Sequence, residues 1–480
     1  MNCTTTDLTV YQPTTAAPWD RARAVHLFRR IRFGADIDTV LAALDNSPAG
    51  VVDALIQQAQ DAPLTPTPDF ANKTFADYGG LELLQSVLEK DAYAREWIAA
   101  LQSFGLRGRM ELFWHNHFVT RFDVYESSNY AWQYHRLLQE HALGDFRAFV
   151  RAIGLTPAML VFLNGVENFA GAPNENYARE LYELFTLGVD NGYTQTDIEE
   201  TARALTGYTN VTETWGPIQF DATTYDAGNK TIFGQTGNWD YDDVIDLLFE
   251  QRGAQIAEFI AGKLYRHFVN PSPNEDVIAQ LAQVFLDADW NIAELLRALF
   301  RSEHFFDEFN FATIIPGHLE QFLIFFSEVG ATDINGLTAT GLYSGAAENG
   351  QVLFNPVDVA GWPGNRAWIN TTSLIFRRNT VESQLGLLFL FNFGGWADIV
   401  KNATDETQDV EIVCEDLIRY FIPKGLQFDS TFEAALVNFK GEIPQNYFED
   451  GTWTINYWAT PSQLLGLLRF LNQLPEFQLK

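Results

Sequence analysis

Basic residues are scarce in this chain of 480 residues. It carries 31 Lys and Arg against 62 Asp and Glu, which gives a formal net charge of −31 at pH 7. A surface of this charge repels the phosphate backbone of nucleic acids and the headgroups of anionic membranes. We therefore expect no nucleic-acid partner.

Cysteine and long apolar runs are also nearly absent. Cys3 and Cys414 are the two cysteines, too few for a disulfide framework or a Cys-based zinc site. The most apolar later segment, residues 385–396, is short and is interrupted by Asn392 and a Gly pair. It predicts a core helix and no integral membrane segment. The first residues show no basic start followed by an apolar run, so no signal peptide is visible.

Helical periodicity dominates what is present. Apolar residues recur at a spacing of about 3.6 along most of the chain, and 47% of the residues are hydrophobic. We predict a mainly α, water-soluble protein: a large multi-helix globular body with two irregular segments of loop and short strand, at about 206–240 and 332–370. An N-terminal arm (1–20) precedes the helical body (21–379). The C-terminal helices (380–480) are expected to pack on the same body.

Five separated segments give the chain a family resemblance. They read HLFRRIRFGA, FWHNHFVT, PNENYARELYELFTLG, YDDVIDLLFEQ with IAEFIAGKLYRHFV, and DVAGWPGNRAWINTTSL. In this order they resemble the bacterial domain-of-unknown-function 1800 family, from about residue 23 to residue 379. The resemblance implies no reaction. It does imply that relatives are often exported and are commonly encoded beside a sulfatase-like protein, which makes such a protein the candidate partner.

The first candidate site is the histidine pair of FWHNHFVT. On a helix, His115 and His117 would lie about 200° apart, and only His117 would share the apolar stripe. We predict both as tentative metal ligands, because imidazole with carboxylates suits transition metals. The structural alternative is that His117 is a core histidine bonded to a carbonyl group and that His115 is a packing or surface residue.

The second candidate site is the helix in PNENYARELYELF. Glu180 and Glu183 lie along one border of its apolar face, where they are candidates for acid–base catalysis and, with the histidines, for holding a divalent metal ion. The candidate binding residues beside them are Asn174, Glu175, Asn176 and Arg179. The structural alternative is that Arg179 neutralises one of the carboxylates and that the Asn- and Glu-rich loop before the helix is an elaborate cap.

The third candidate site is the loop DVAGWPGNRAWIN. Its glycines and proline indicate a tight turn that presents Trp362, Arg366 and Trp368. These side chains are typical of an aromatic platform with an anion contact. Equally, the loop could plug the helical body, with Arg366 paired to an acid.

Two functional hypotheses follow from these sites. One is a metal-dependent enzyme with a His/carboxylate site, in which His117, Glu180 and Glu183 line one pocket. The other is a non-catalytic binding or assembly protein that partners a sulfatase-like protein. The sequence has no GxGxxG after a strand, GxxxxGK[ST], GxSxG or HExxH motif, so dinucleotide, P-loop, α/β-hydrolase and zincin functions lose their usual signatures.

Overall fold

The computed structural model describes residues 5–331 and 336–480. Residues 1–4 of the predicted arm and residues 332–335 of the second predicted irregular segment lie outside the described residues. The described part of the chain forms 22 α-helices and two small two-stranded sheets. The prediction of a mainly α fold is therefore confirmed.

Eleven helices precede the first sheet. They are α1 (Arg21–Ile31), α2 (Ile37–Leu44), α3 (Pro48–Asp61), α4 (Glu82–Phe104), α5 (Leu106–His115), α6 (Phe122–Tyr125), α7 (Ser128–His141), α8 (Phe146–Ile153), α9 (Pro157–Phe162), α10 (Asn176–Glu180) and α11 (Gln195–Ala204). Between α10 and α11 the chain continues as a π-helix over Leu181–Thr186.

Eleven helices follow the sheets. They are α12 (Tyr241–Phe268), α13 (Glu275–Asp287), α14 (Ile292–Arg301), α15 (His318–Glu328), α16 (Gly336–Glu348), α17 (Thr371–Phe391), α18 (Phe393–Asn402), α19 (Val410–Phe421), α20 (Asp429–Lys440), α21 (Gln445–Glu449) and α22 (Thr460–Leu471).

Four short strands occupy the first predicted irregular segment. β1 (Asn210–Val211) pairs antiparallel with β2 (Ile218–Gln219), and β3 (Lys230–Ile232) pairs antiparallel with β4 (Gln235–Gly237). These strands are only two or three residues long, and β3 buries Lys230 and Ile232 where it packs against α11. They therefore serve as stiffened connections between α11 and α12.

Side-chain caps set most of the early helix starts. The carboxylates of Asp20 and Asp36 accept from backbone N–H groups in the first turns of α1 and α2, and the Ser47 hydroxyl does so in α3. The capping box of α11 is formed by Thr194 and Asp197. Thr196 and Glu199 have the same spacing in the sequence, but the helix begins after the earlier threonine.

The second irregular segment contains a helix that the sequence did not predict. α16 spans Gly336–Glu348 and buries Ala339, Leu342 and Ala346. These residues repeat at intervals of three and four, but two of them are alanines among Gly, Thr and Ser, so the apolar periodicity is weak. The prediction of irregular structure over 332–370 is therefore wrong for this stretch.

The apolar segment 385–396 is only partly a core element. Leu385 and Trp396 are fully buried, whereas Leu390 and Phe391 are 74% and 86% exposed. α17 packs against α22 on one side and leaves the other side of its last turn open, which corrects the expectation of a core helix. No helix among the described residues is long and apolar enough to cross a membrane.

The longest helix among the described residues is α12. It bends at Arg252, whose backbone is not helical, and it packs along α13 and against α8. Its last turns, together with α5 and α15, lie where the chain brings its candidate functional segments together.

Candidate functional site

The histidine pair lies at the end of a helix. α5 stops at His115, and Asn116 follows as its C-cap. Because the helix ends between the two histidines, the expected separation of about 200° does not hold. His115 and His117 are both buried, which corrects the expectation that one of them shares the apolar stripe alone.

Both nitrogens of His115 have partners within the protein. Its Nε2 accepts from the backbone N–H of Phe354 at 3.0 Å, so Nδ1 carries the proton and donates to the Tyr134 hydroxyl at 3.0 Å. Burial lowers the pKa of His115 to about 3, with His135 adding to the effect. His115 is thus a neutral histidine with no nitrogen left for a metal ion in this arrangement.

His117 is held in one tautomer by a main-chain carbonyl. Its Nε2 lies 3.0 Å from the carbonyl oxygen of Phe185, which can only accept, so Nε2 carries the proton. Nδ1 then accepts from the Lys263 ammonium at 2.7 Å. Burial, and next the charge of Lys263, holds the pKa of His117 well below its usual range.

Lys263 was not anticipated by the sequence interpretation. It belongs to α12, and burial lowers the pKa of its amine to about 8. Among the described residues no carboxylate forms an ion pair with it, and its hydrogen-bond partner is a neutral imidazole. Its spacing of four from His267 placed both on one face of a helix, but the sequence could not show what that face meets.

The two predicted catalytic glutamates lie elsewhere. Arg179 Nη1 donates to Glu183 at 3.1 Å, and Arg179 Nη2 donates to Glu175 at 2.9 Å, so a ladder of i,i+4 ion pairs runs along the helix. Glu180 is half-buried, and its pKa is raised by burial and then by the charge of Glu183. The prediction of Arg179 as an ion-pair partner describes this geometry.

The amides of the preceding loop bind one another. Asn174 Oδ1 accepts from the backbone of Asn176, whose side chain donates to Asn164 at 2.8 Å. Asn168 Oδ1 accepts from the backbone of Asn174 at 2.9 Å. These contacts order the approach to α10 as a cap.

The predicted metal-ligand set does not converge. Residues 5–331 and 336–480 contain no group of three or more His, Cys, Asp or Glu side chains that could hold a metal ion. The link between the histidine segment and the glutamate helix is the Phe185 carbonyl, not a carboxylate.

The aromatic loop meets the histidine segment directly. Asn116 Oδ1 accepts from the backbone N–H of Trp362 at 2.6 Å, and its Nδ2 donates to the Trp362 carbonyl at 3.2 Å. Gly361 approaches so closely that a Cβ there would overlap the Asn116 side chain. Trp362 in turn packs edge-on against the His115 ring, with 5.4 Å between centroids.

A cleft of about 500 Å³ opens where these segments meet. Asn116 and His117 form one wall, the end of α12 forms a second, and the aromatic loop forms a third. The polar and ring-bearing side chains on its walls include Asn116, His117, Lys263, Arg266, His267, Glu320, Trp362, Trp368 and Lys480.

Of the candidate residues, the cleft unites His117, Trp362 and Trp368. His115 lies immediately behind its wall, and Arg366 is exposed on a 3₁₀ turn beside it. Glu180 and Glu183 are not among its lining residues. The sequence interpretation missed Asn116, Lys263, Glu320 and Lys480, which come from segments far apart in the chain.

The structure defines a class of protein: a helical body with a polar and aromatic cleft. The cleft is built from the most distinctive segments of the sequence. Residues 26–479 match the family described as a protein of unknown function, DUF1800, so the chain belongs to that family. The match extends through the C-terminal helices, beyond the 23–379 range of the sequence resemblance. No curated protein and no solved structure matches the chain.

Proposed function

We propose that the protein binds a small ring-containing molecule in the cleft between the histidine segment, α12 and the aromatic loop. The observation that carries the proposal is convergence: Asn116 and Gly361, which are 245 positions apart, are fitted to each other and close the cleft. Ligand pockets combine apolar rings with a few polar groups in this way. Trp368 is half-buried and lines the cleft, where its indole ring is a contact for a ligand.

The test is a screen of ring-containing fragments by saturation-transfer NMR. Compounds that bind the wild-type protein should lose their signal with Trp368→Ala and keep it with Trp458→Ala. Trp458 is 75% exposed and does not line the cleft, so it is the matched control. No binding fragment, or signals that survive Trp368→Ala, would count against the proposal.

A second candidate function is covalent catalysis by Lys263. Lysines in desolvated sites lose their proton readily and then attack carbonyl carbons. In that step the Lys263 amine forms a C–N bond to an aldehyde or ketone, the carbonyl oxygen leaves as water, and an imine remains. His117 Nδ1 accepts a hydrogen bond from the amine and orients it.

Reductive trapping tests this second function. We expect 4-carboxybenzaldehyde with cyanoborohydride to label Lys263 faster than the surface residue Lys401, as read by peptide mass spectrometry. His117→Gln should slow labelling of Lys263 and leave Lys401 unchanged. Equal labelling of both lysines in the wild-type protein would rule the function out.

The metal-dependent enzyme and the sulfatase-like partner both stay predictions. The first has no converging ligand set in the described residues, and the second has no contact surface assigned to it. The binding proposal needs neither of them.

A further inference from the structure

Positive charge is concentrated behind one end of the cleft, in a chain whose net charge is −31. Four buried cations surround the single carboxylate of Glu320. We define the cation cluster as Arg30, Arg109, Arg377 and Lys480. They come from α1, α5, α17 and the last residue described. Arg109 and Lys480 contact Glu320 of α15, and Arg30 and Arg377 interact with it electrostatically.

Glu320 is shared between two of these cations. Its Oε1 lies 2.8 Å from Arg109 Nη1, and its Oε2 lies 2.8 Å from Lys480 Nζ. His267 Nε2 lies 3.9 Å from the same carboxylate. Burial alone would raise the pKa of Glu320, but Arg109 and Lys480 hold it well below its usual range.

One carboxylate cannot balance this cluster. Counted with all four basic side chains protonated, the cation cluster and Glu320 leave three positive charges in excess. The neighbouring buried Arg29 does not change the count, because it is already paired with Glu328. Buried charges without a counter-charge are costly.

Hydrogen-bond donors in the cluster are also left over. Within the described residues, Nε and Nη2 of Arg109, Nε and Nη1 of Arg30, and Nη2 of Arg377 have no hydrogen-bond acceptor. All three arginine side chains are fully buried. Buried guanidinium donors are normally satisfied, so these donors add to the unbalanced positive charge at this end of the cleft.

The cation cluster reaches the cleft through Lys480, and His267 lines the same cleft. Burial, and then the nearby Arg109, lowers the pKa of Lys480 to about 7. Burial, and next the charge of Lys480, also holds the pKa of His267 well below its usual range. Both groups therefore favour an incoming negative charge, which would stabilise their protonated forms.

We propose that this end of the cleft is an oxyanion subsite, which binds a phosphate or sulfate group of the ligand against Lys480 and His267 with Arg109 and Arg30 behind them. The inference rests on the proposed ligand-binding function and names the charged part of its ligand. Trp368 and Lys480 line the same cleft, so one ligand would place its ring on Trp368 and its oxyanion at Lys480.

Calorimetric titration with inorganic phosphate at constant ionic strength tests the subsite. We expect saturable binding to the wild-type protein, weakened about tenfold in Lys480→Met by the loss of one nearby charge. Glu320→Gln should tighten binding, because it removes the competing carboxylate. A merely structural role of Glu320 would not produce a gain. Lys401→Met, at a surface pair with Asp398, is the matched control and should bind like the wild-type protein.

Titrations with sulfate and acetate show whether the subsite selects a tetrahedral oxyanion or binds any anion. Sulfate should replace phosphate, and acetate, with one charge, should bind more weakly. Acetate as tight as sulfate, no saturable phosphate binding, or an affinity unaffected by Lys480→Met would overturn the inference. If Glu320→Gln fails to fold, Lys480→Met decides the matter. Ring fragments that still bind at Trp368 would show that the subsite has failed and the proposed function has not.

Discussion

Asn116 is the residue on which the geometry of the cleft most directly depends. Its side-chain amide makes both hydrogen bonds that fix the Trp362 backbone. Asn116→Ala leaves a buried N–H without its acceptor, so we expect the free energy of unfolding to fall by about 1–3 kcal/mol. Urea denaturation measures this.

Asn438→Ala is the control for this substitution. Asn438 is exposed and donates to a carbonyl of its own helix, so its loss should have little effect. If the two alanine variants proved equally stable, the hydrogen bonds between Asn116 and the Trp362 backbone would not stabilise the folded protein.

The ionisation of the single amine of Lys263 makes the free energy of unfolding depend on pH. Its pKa falls from 10.5 in the unfolded chain to about 8 in the folded protein, so between these values the unfolded state binds more protons. The free energy of unfolding therefore rises as the pH increases from about 8 to 10.5. Below that window the charged form of Lys263 destabilises the folded protein.

Lys263→Met removes this dependence. We expect the variant to gain stability relative to the wild-type protein at pH 7 and to lose part of that advantage by pH 10. Thermal melts of both proteins across this range measure the difference. An advantage that stays constant with pH would contradict a depressed pKa for Lys263.

At the scale of elements, the aromatic loop needs glycine at two positions for different reasons. Gly361 has φ +86° and abuts Asn116, whereas Gly364 has φ +70° and faces open space. An added Cβ costs about 1–2 kcal/mol from backbone strain alone at either position. Gly361→Ala adds an overlap with the Asn116 carbonyl oxygen, 2.6 Å from the new atom.

We therefore expect Gly361→Ala to lower the melting temperature more than Gly364→Ala, and both to lower it more than Gly394→Ala. Gly394 lies in helix α18 without a positive φ and with open space around it. Calorimetry of the three variants tests the order. Equal melting temperatures of the two loop variants would mean that the loop shifts at Gly361 and relieves the overlap.

Elements were predictable where periodicity or local pairing decides them. The start of α19 at Val410 and the ion pairs of Arg179 with Glu175 and Glu183 follow from spacing along one helix. Lys480 and Glu320 could not be predicted, because their contact joins segments 160 positions apart. The predicted metal ligands do not converge in the described residues, because the two histidines bond to other segments while Glu175 and Glu183 pair with Arg179 along their own helix.

At the scale of the whole molecule, net charge governs what can approach it. A charge of −31 predicts no measurable binding to a random DNA duplex at physiological salt. Gel retardation at micromolar protein tests this. The cation cluster does not alter the expectation, since its arginines are fully buried and cannot follow a phosphate backbone. A salt-sensitive complex would contradict it.

The same charge predicts a response to salt. Like charges repel across the folded surface, and sodium chloride screens them. We expect the melting temperature to rise between low salt and about 0.2 M, where the Debye length is below about 10 Å. Calorimetry in chloride avoids the oxyanions that the subsite would bind. A falling melting temperature would show that attractive pairs outweigh the repulsion.

The π-helix at Leu181–Thr186 makes the protonation of His117 depend on the number of residues in this segment. Its backbone closes with the Leu187 N–H on the Tyr182 carbonyl, one residue wider than an α-helix. Deleting one residue here would restore an ordinary turn and rotate the Phe185 carbonyl by about 100°. His117 would then lose the acceptor that fixes its proton on Nε2, and Lys263 would face an imidazole free to exchange tautomers. Deleting one codon, with every cleft side chain intact, would thus leave the donor and acceptor roles of the Lys263–His117 pair without their main-chain control.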